Sequence, residues 1–462
     1  MRRTLRSDLP YRRIAVVLSG GGALGAYEVG VLRAIGAAGL KPAIVAGASA
    51  GALNAVCWVA AGLRTERLED IWRRIEPATI GMRWSTLAGR GFGAFLVVLG
   101  AFEVFLSILG SPELSLAAWL GGQGVAGLGR GSVLLDAFAW VLVSIGGVAV
   151  LRASRETEAV LARASGLGGG RLAHGGFTLI LAGWALLHLV VWVIGIPWPH
   201  RFSATLFAVA AVVWLAAKPG RAGGWVRHLF SRLLPESRGR GIWGDAARRR
   251  VLTRLVGQGA PGRLVSGDPI LILTGLSLDT GRVAMFLAGA EPSDEFRARA
   301  EATLGEVVPV RTAEEVIDAA VASSAIPMLF EPALVQGREF LDAVALSTHP
   351  LRAAIYADAD AALVVVVAPS GAPPAGKTPR TLVELWGRYL DIANWRDLQR
   401  ELRGLPPEWN ASATPRHLCV VEPEAALPGG VLAYSPHNAE HLMDQGEADG
   451  WRALERAEWL KS

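Results

Sequence analysis

Cysteine is nearly absent from this chain, with only Cys57 and Cys419 among 462 residues. The two are far apart and have no partners at metal-ligand spacing, which argues against a disulfide framework and a structural zinc site. Charge is scarce as well. Charged residues make up 19% of the chain, hydrophobic residues make up 52%, and the mean hydropathy is +0.35. These values are too apolar for an ordinary soluble enzyme and direct attention to membrane spans. The net charge of +5 is modest, and much of it is arginine near the apolar segments. No helix-turn-helix, finger or stacking motif accompanies it, so the charge suits a membrane surface and not nucleic acid. A long apolar run is missing at the N-terminus, where "MRRTLRSDLPYRR" is followed by only "IAVVL" before glycines intervene. That run is too short for a signal-peptide core, so export is not indicated.

Glycine, by contrast, is concentrated near the start. Ile14 to Leu18 is short, β-branched and bounded by breakers, and it predicts a buried strand. Ser19-Gly20-Gly21-Gly22-Ala23-Leu24-Gly25 follows, then a helical pattern through Ile35 that Gly39-Leu40-Lys41-Pro42 breaks. "AIVAG" predicts a second strand, "ASAG" a tight turn and "ALNAVCWVAAG" a second apolar helix. Gly20-x-Gly22-x-x-Gly25 taken alone fits a dinucleotide fingerprint. That reading requires an acidic residue at the end of the second strand, and the chain there reads Ala46-Gly47-Ala48-Ser49.

The second cluster, Gly47-Ala48-Ser49-Ala50-Gly51, is G-x-S-x-G on a strand–turn–helix, the context of a nucleophile elbow. Flanking glycines let the chain turn sharply and leave Ser49 at a helix N-terminus, whose dipole favours a developing anion. A plain small-residue turn packing a helix on a sheet accounts for the same five residues. Gly20 to Gly22 tip the balance, because their backbone N–H groups beside an elbow would form an oxyanion hole. A serine nucleophile also needs a base. The α/β-hydrolase order is Ser, acid, His, but those folds place several strands before the elbow, and here there is one. His349, His417, His437 and His441 come late in the chain, none in a distinctive motif.

With these residues in view, the chain resembles the patatin-like phospholipases, which carry a glycine-rich loop after the first strand and a GxSxG elbow after the second. "LDTGRVAMF" (278–286) is similar to that family's strand-pair segment, and "DAAVASSAIPMLFEPALVQGREFLDAVALSTHPLRAAIYADADAALVVVV" (318–367) to the block bearing its aspartate. The resemblance covers about residues 12–82 and 265–370, with a weaker tail to about 450. It implies an α/β, three-layer fold with a mixed central sheet and a Ser–Asp dyad instead of a triad. Carried over, Ser49 is the nucleophile, Asp342 the base, and the N–H groups of Gly20, Gly21 and Gly22 the oxyanion hole, with Gly47 and Gly51 shaping the elbow. Membrane lipid is the implied substrate, and neither metal nor organic cofactor is required. Two departures stand out. The family usually has Asp-Gly-Gly or Asp-Gly-Ala where this chain has Asp342-Ala343-Val344, and Leu24 stands where many relatives carry Arg or Lys. The first would matter if those glycines served φ > 0 or close approach to the serine. It is the best support for an alternative reading, a catalytically weak or inactive membrane scaffold or lipid-binding protein.

Between the two blocks, apolar segments at about 93–110, 133–151, 177–196 and 204–217 read as about four transmembrane helices. The first two carry Glu103 and Asp136, which are costly at mid-bilayer unless paired. The stretch from Lys218 to Arg250 is basic with Trp225, Phe230 and Trp243 interleaved, and is expected to lie on anionic headgroups. Arg380 to Leu405 reads as an amphipathic packing or surface helix. The expected organisation is an N-terminal half-domain at 1–90, a membrane insertion at 91–250, a C-terminal half at 251–370 and a helical extension at 371–462. An even number of crossings brings Ser49 and Asp342 to one side. Arg152, Arg155, Arg163 and Arg171 between the second and third spans make that side the cytoplasm, at an inner membrane.

Overall fold

The computed structural model describes residues 4–82, 241–344, 346–373, 382–409 and 415–461, with a few isolated positions besides. Two compact units are present, one formed by Met1–Gly81 with Arg240–Ser462, the other by Met82–Gly239. The four apolar segments and the basic stretch up to residue 240 lie almost wholly outside the described residues. Among those described, no helix is long and apolar enough to cross a membrane.

In chain order the first unit contains β1 (Ile14–Leu18), α1 (Gly25–Ala37), β2 (Ile44–Ala48), α2 (Ala50–Ala60), α3 (Glu66–Trp72), β3 (Gly241–Trp243), α4 (Ala246–Gln258), β4 (Ile270–Ser277) and β5 (Val283–Ala288). It continues with α5 (Asp294–Thr303), β6 (Glu306–Val310), α6 (Ala313–Ser323), β7 (Met328–Phe330), β8 (Ala333–Val335), β9 (Arg338–Leu341) and α7 (Leu351–Tyr356). The last elements are β10 (Ala361–Val365), α8 (Leu382–Arg403), β11 (Leu418–Val421) and α9 (Pro436–Arg456).

The main sheet runs β11-β10-β1-β2-β4-β5-β6, with β9 added to β4 and β8 to β9. It is mixed. The pairs from β11 through β4 are parallel, whereas β4 pairs antiparallel with both β5 and β9. Side chains alternate across a strand, and β1 shows the consequence. Val16 and Leu18 enter one core with α1, α2, α6 and α9, while Ala15 and Val17 enter another with α5, α7 and Leu398 of α8. Both faces of the central strands are therefore covered, which is why β1, β2 and β10 are almost uniformly apolar. The patatin-type α/β architecture with a mixed sheet thus holds for this unit.

Residues beyond 371 belong to the same unit. β11 extends the sheet beside β10, and α9 packs along α1, where the Tyr27 hydroxyl donates to Asp449 Oδ2 at 2.8 Å. α6 begins with a capping box: Thr312 Oγ1 accepts from Glu315 N at 3.1 Å, and the Glu315 carboxylate accepts from Thr312 N at 3.1 Å. That cap fixes where the helix starts, and its far end delivers Ser323 to the site described next.

Candidate active site

β2 ends at Ala48 and α2 begins at Ala50, so Ser49 must turn the chain by itself. It does so at φ 53° and ψ −121°, a left-handed conformation rare for a non-glycine residue and held only where the surroundings determine it. The surroundings are tight. A Cβ on Gly47 would stand 2.6 Å from Gly51 O, and one on Gly51 would stand 2.5 Å from Leu18 O. Both glycines of the G-x-S-x-G motif are therefore demanded by close backbone approach. The Ser49 N–H donates to Ser323 Oγ at 2.9 Å, and Ser49 itself is 7% exposed.

The glycine loop after β1 lies directly against the serine. A Cβ on Gly20 would come 3.2 Å from Ser49 Cβ, and Gly22 sits at φ +55° against Val431 O. One expectation about the loop needs correction. The Gly20 N–H donates to Thr348 O at 3.1 Å, which removes it from an oxyanion hole of three donors. Among the described residues no acceptor takes the N–H of Gly21 or Gly22, so these two remain available.

Asp342 follows β9, whose pairing with β4 aligns Leu341 with Leu276, and its N–H donates to Ala325 O at 2.9 Å. Although 291 positions or more separate the glycine loop and elbow from it in sequence, Asp342 lines one pocket with Gly20, Gly21, Gly22 and Ser49. The carboxyl is 2% exposed. Burial pushes its pKa from 3.8 up to about 7, against the opposing effects of the Ser49 hydroxyl, the Val344 N–H and the charge of Arg248. Neither Ala343 nor Val344 adopts a left-handed φ, so the departure from Asp-Gly-Gly introduces no backbone strain.

Other parts of the site were not foreseen from sequence. Trp386, Leu390 and Asn394, one helical turn apart on α8, line the pocket together with Thr348, Val431 and Leu432, and among the described residues the buried Oδ1 of Asn394 has no hydrogen-bond partner. The only available signal was the four-residue spacing of those three residues, with a polar one on an otherwise apolar stripe. Arg248 falls in the basic run that the sequence places on anionic headgroups, and the structure buries it instead. It is 3% exposed, its Cζ lies 3.6 Å from the centroid of the Phe330 ring, and none of its guanidinium nitrogens has a hydrogen-bond partner among the described residues. Burial lowers its pKa to about 10, which leaves it charged at neutral pH. Its neighbour Arg249 pairs with Asp318 and Asp245.

The late histidines lie elsewhere. His349 Nδ1 is 3.0 Å from Asp397 Oδ2, His417 Nδ1 is 2.8 Å from Asp360 O, His437 and His441 are on α9, and none lines the pocket. A wider cleft of about 600 Å³ between the end of α8, β11 and α9 holds Cys419, but burial raises that thiol to about 12, so it is no nucleophile at neutral pH. Among the described residues no group of three or more His, Cys, Asp or Glu is placed to hold a metal ion.

The family model for patatin-like phospholipases matches residues 16–160 and 198–355, more than half of the chain. The chain belongs to the patatin-like phospholipase family. The family's general activity is lipid acyl hydrolysis, and the matched residues include the glycine loop, the elbow, Arg248 and Asp342. A solved structure to which the chain is similar is VipD from Legionella pneumophila. It is 11% identical, with 100% of this chain and 70% of that chain covered and a TM-score of 0.34, a likeness too distant to carry a functional argument. No curated protein matches the chain.

The raised pKa of Asp342 has a consequence for stability. Its folded value, about 7, lies above the unfolded value near 3.8, so the fold binds this proton more tightly than the unfolded chain does. Stability therefore falls as pH rises from about 4 to 7, and the full penalty, up to roughly 4 kcal/mol, is present above 7. Asp342→Asn, which cannot ionise, is expected to raise the unfolding midpoint at pH 8 and to lose that advantage near pH 4. Denaturant melts at the two pH values measure this, and an equal effect of the substitution at both would contradict the buried-carboxyl assignment.

Proposed function

We propose that this chain is a membrane-bound lipid acyl hydrolase that works through a Ser49–Asp342 dyad and an acyl-enzyme. The observation that carries the proposal is the single pocket shared by Ser49, Asp342 and the glycine loop, in which burial makes the carboxylate a far better base than an exposed aspartate. The Ser49 hydroxyl oxygen bonds to the ester carbonyl carbon as its proton passes to Asp342. The N–H groups of Gly21 and Gly22 receive the oxyanion, with the helix dipole of α2 behind the serine. The tetrahedral intermediate collapses, the ester C–O bond breaks, and the leaving alkoxide takes the proton from Asp342. Water then attacks the acyl-enzyme as Asp342 accepts its proton, and the second tetrahedral intermediate collapses with cleavage of the bond to Ser49 Oγ, which takes the proton back from Asp342 and regenerates Ser49. Arg248 acts on Asp342 through its charge, and the net charge of the site stays negative as it moves from carboxylate to oxyanion, so the buried guanidinium favours both states.

Two features support action at a lipid surface. The apolar segments of the sequence are one. The other is the clustering of exposed apolar side chains on segments that also line the pocket: Leu385, Tyr389 and Ile392 on α8 beside Trp386 and Leu390, Met328 beside Leu329, and Leu346 beside Val344. Tyr389 is 53% and Met328 74% exposed. Exposed apolar side chains on the segments that line the pocket are suited to sit against acyl chains. The scaffold alternative drew on Asp342-Ala343-Val344, and the strain-free backbone there weakens it.

Ser49→Ala and Asp342→Asn are each expected to lower ester hydrolysis at least a hundredfold while the protein stays folded, as judged by circular dichroism. Because the base must be ionised, kcat/KM should rise with pH through an apparent pKa near 7. Arg248→Met, which removes the opposing charge, should move that limb to higher pH. A wild-type rate in Asp342→Asn, or a limb that stays in place without Arg248, would count against the dyad and its tuning respectively. Hydrolysis should also be faster on bilayer-presented ester than on the same ester as monomer, by about tenfold or more, and to a lesser degree once Tyr389 and Ile392 are changed to Ser. Equal rates on both forms would remove the interfacial part of the proposal.

A further inference from the structure

α8 begins 27 residues past the end of the family match, yet it holds the catalytic loops by more than apolar packing. Asp397, on the turn after Asn394, has a side chain only 1% exposed. Its Oδ2 accepts from Thr348 N at 2.8 Å, Thr348 Oγ1 at 3.1 Å and His349 N at 3.1 Å, and lies 3.0 Å from His349 Nδ1. Its Oδ1 is met by Arg400, which also donates to Leu346 O. One turn on, Glu401 accepts from Arg352 N at 2.8 Å and Arg352 Nε at 2.9 Å. A carboxylate buried this deeply is tolerated only when charge-assisted bonds saturate it. Burial alone would raise its pKa, but the bonds from His349 and Thr348 and the charge of Arg400 hold it below the usual range.

The grip reaches the chemistry in two directions. Upstream, it fixes the segment that leads back to Asp342. Across the site, Thr348 is the same residue whose carbonyl receives the Gly20 N–H at 3.1 Å and whose side chain lies against Gly20. Gly20 in turn lies against Ser49 and precedes Gly21 and Gly22. A path of direct contacts therefore runs Asp397, Thr348, Gly20, and on to the two N–H groups proposed to receive the oxyanion.

We propose that Asp397 is a positioning residue: by fastening Thr348 it sets the glycine loop against Ser49, which makes α8 a working part of the hydrolytic site. The inference rests on the hydrolase reading above. Asp397 touches no substrate in this scheme, and its effect passes through loop geometry, where a displacement of about 1 Å can cost on the order of a hundredfold in rate.

The test compares the full chain with Asp397→Ala and Asp397→Asn. Three readouts are taken: kcat and KM on a lipid ester, affinity for a long-chain trifluoromethyl ketone that forms an oxyanion on the serine, and hydrogen exchange of the Ser19–Leu24 amides. Asp397→Ala should lower kcat about a hundredfold with KM within about threefold, weaken the ketone in parallel and speed loop exchange at least tenfold. Asp397→Asn, which keeps an acceptor oxygen, should recover about half of that loss on a logarithmic scale. A wild-type kcat in Asp397→Ala, or a lower kcat with ketone affinity and loop exchange unchanged, would overturn the proposal. Should the alanine variant fail to fold, Asp397→Asn decides: wild-type kcat and exchange there reject it. A wild-type protein without hydrolysis would instead refute the hydrolase reading, and the exchange arm would still report on whether Asp397 fixes the loop.

Discussion

A carboxyl group withdrawn from water next to a serine is the constraint around which this unit is arranged. Asp342 is buried and its pKa lies near 7, a cost that an ordinary core would avoid by placing an apolar residue there. Around it stand features that are each unfavourable alone: Ser49 at positive φ and, among the described residues, a buried guanidinium with no hydrogen-bond partner at Arg248 and a glycine loop with two N–H groups unpaired. Strain, unpaired donors and a perturbed acid gathered in and beside one pocket are the pattern expected of a site shaped for chemistry at the expense of stability.

The mixed sheet makes this concentration possible. Parallel strands β1 and β2 bring the glycine loop and the elbow to the same end of adjacent strands, as in other open α/β sheets whose sites lie at the carboxyl ends of strands. The antiparallel contact of β9 with β4 then delivers Asp342 to that end from a distant part of the sequence. No single element makes the site. It exists only where these strand ends meet, with α8 closing one side.

How much of this was legible in the sequence depended on whether the cause was local. β1 and β2 were readable because short apolar β-branched runs between glycines have few other uses. The elbow was readable because its glycines answer to contacts within a few residues, and Asp342 was readable through its resemblance to the family's aspartate block. Three features were not. The capture of the Gly20 N–H by Thr348 depends on a tertiary contact across 328 positions, invisible to any local pattern. Arg248 sits in an Arg-Arg-Arg run that looks like a solvated face, and only the fold shows that one of the three turns inward onto Phe330. α8 was recognisable as an amphipathic helix, but an apolar stripe looks the same whether it covers a core or a pocket. The assignment of its residues to the site had to wait for the packing.

The account turns on a covalent acyl group on Ser49. The most direct measurement mixes the full chain with a slowly deacylated lipid ester, quenches in acid within milliseconds to seconds, and locates any acyl mass by peptide mass spectrometry. An acyl adduct is expected on the peptide containing Ser49, forming and decaying at rates consistent with turnover, and absent from Ser49→Ala. Turnover without any adduct, or an adduct on a different side chain with Ser49 unmodified, would contradict it.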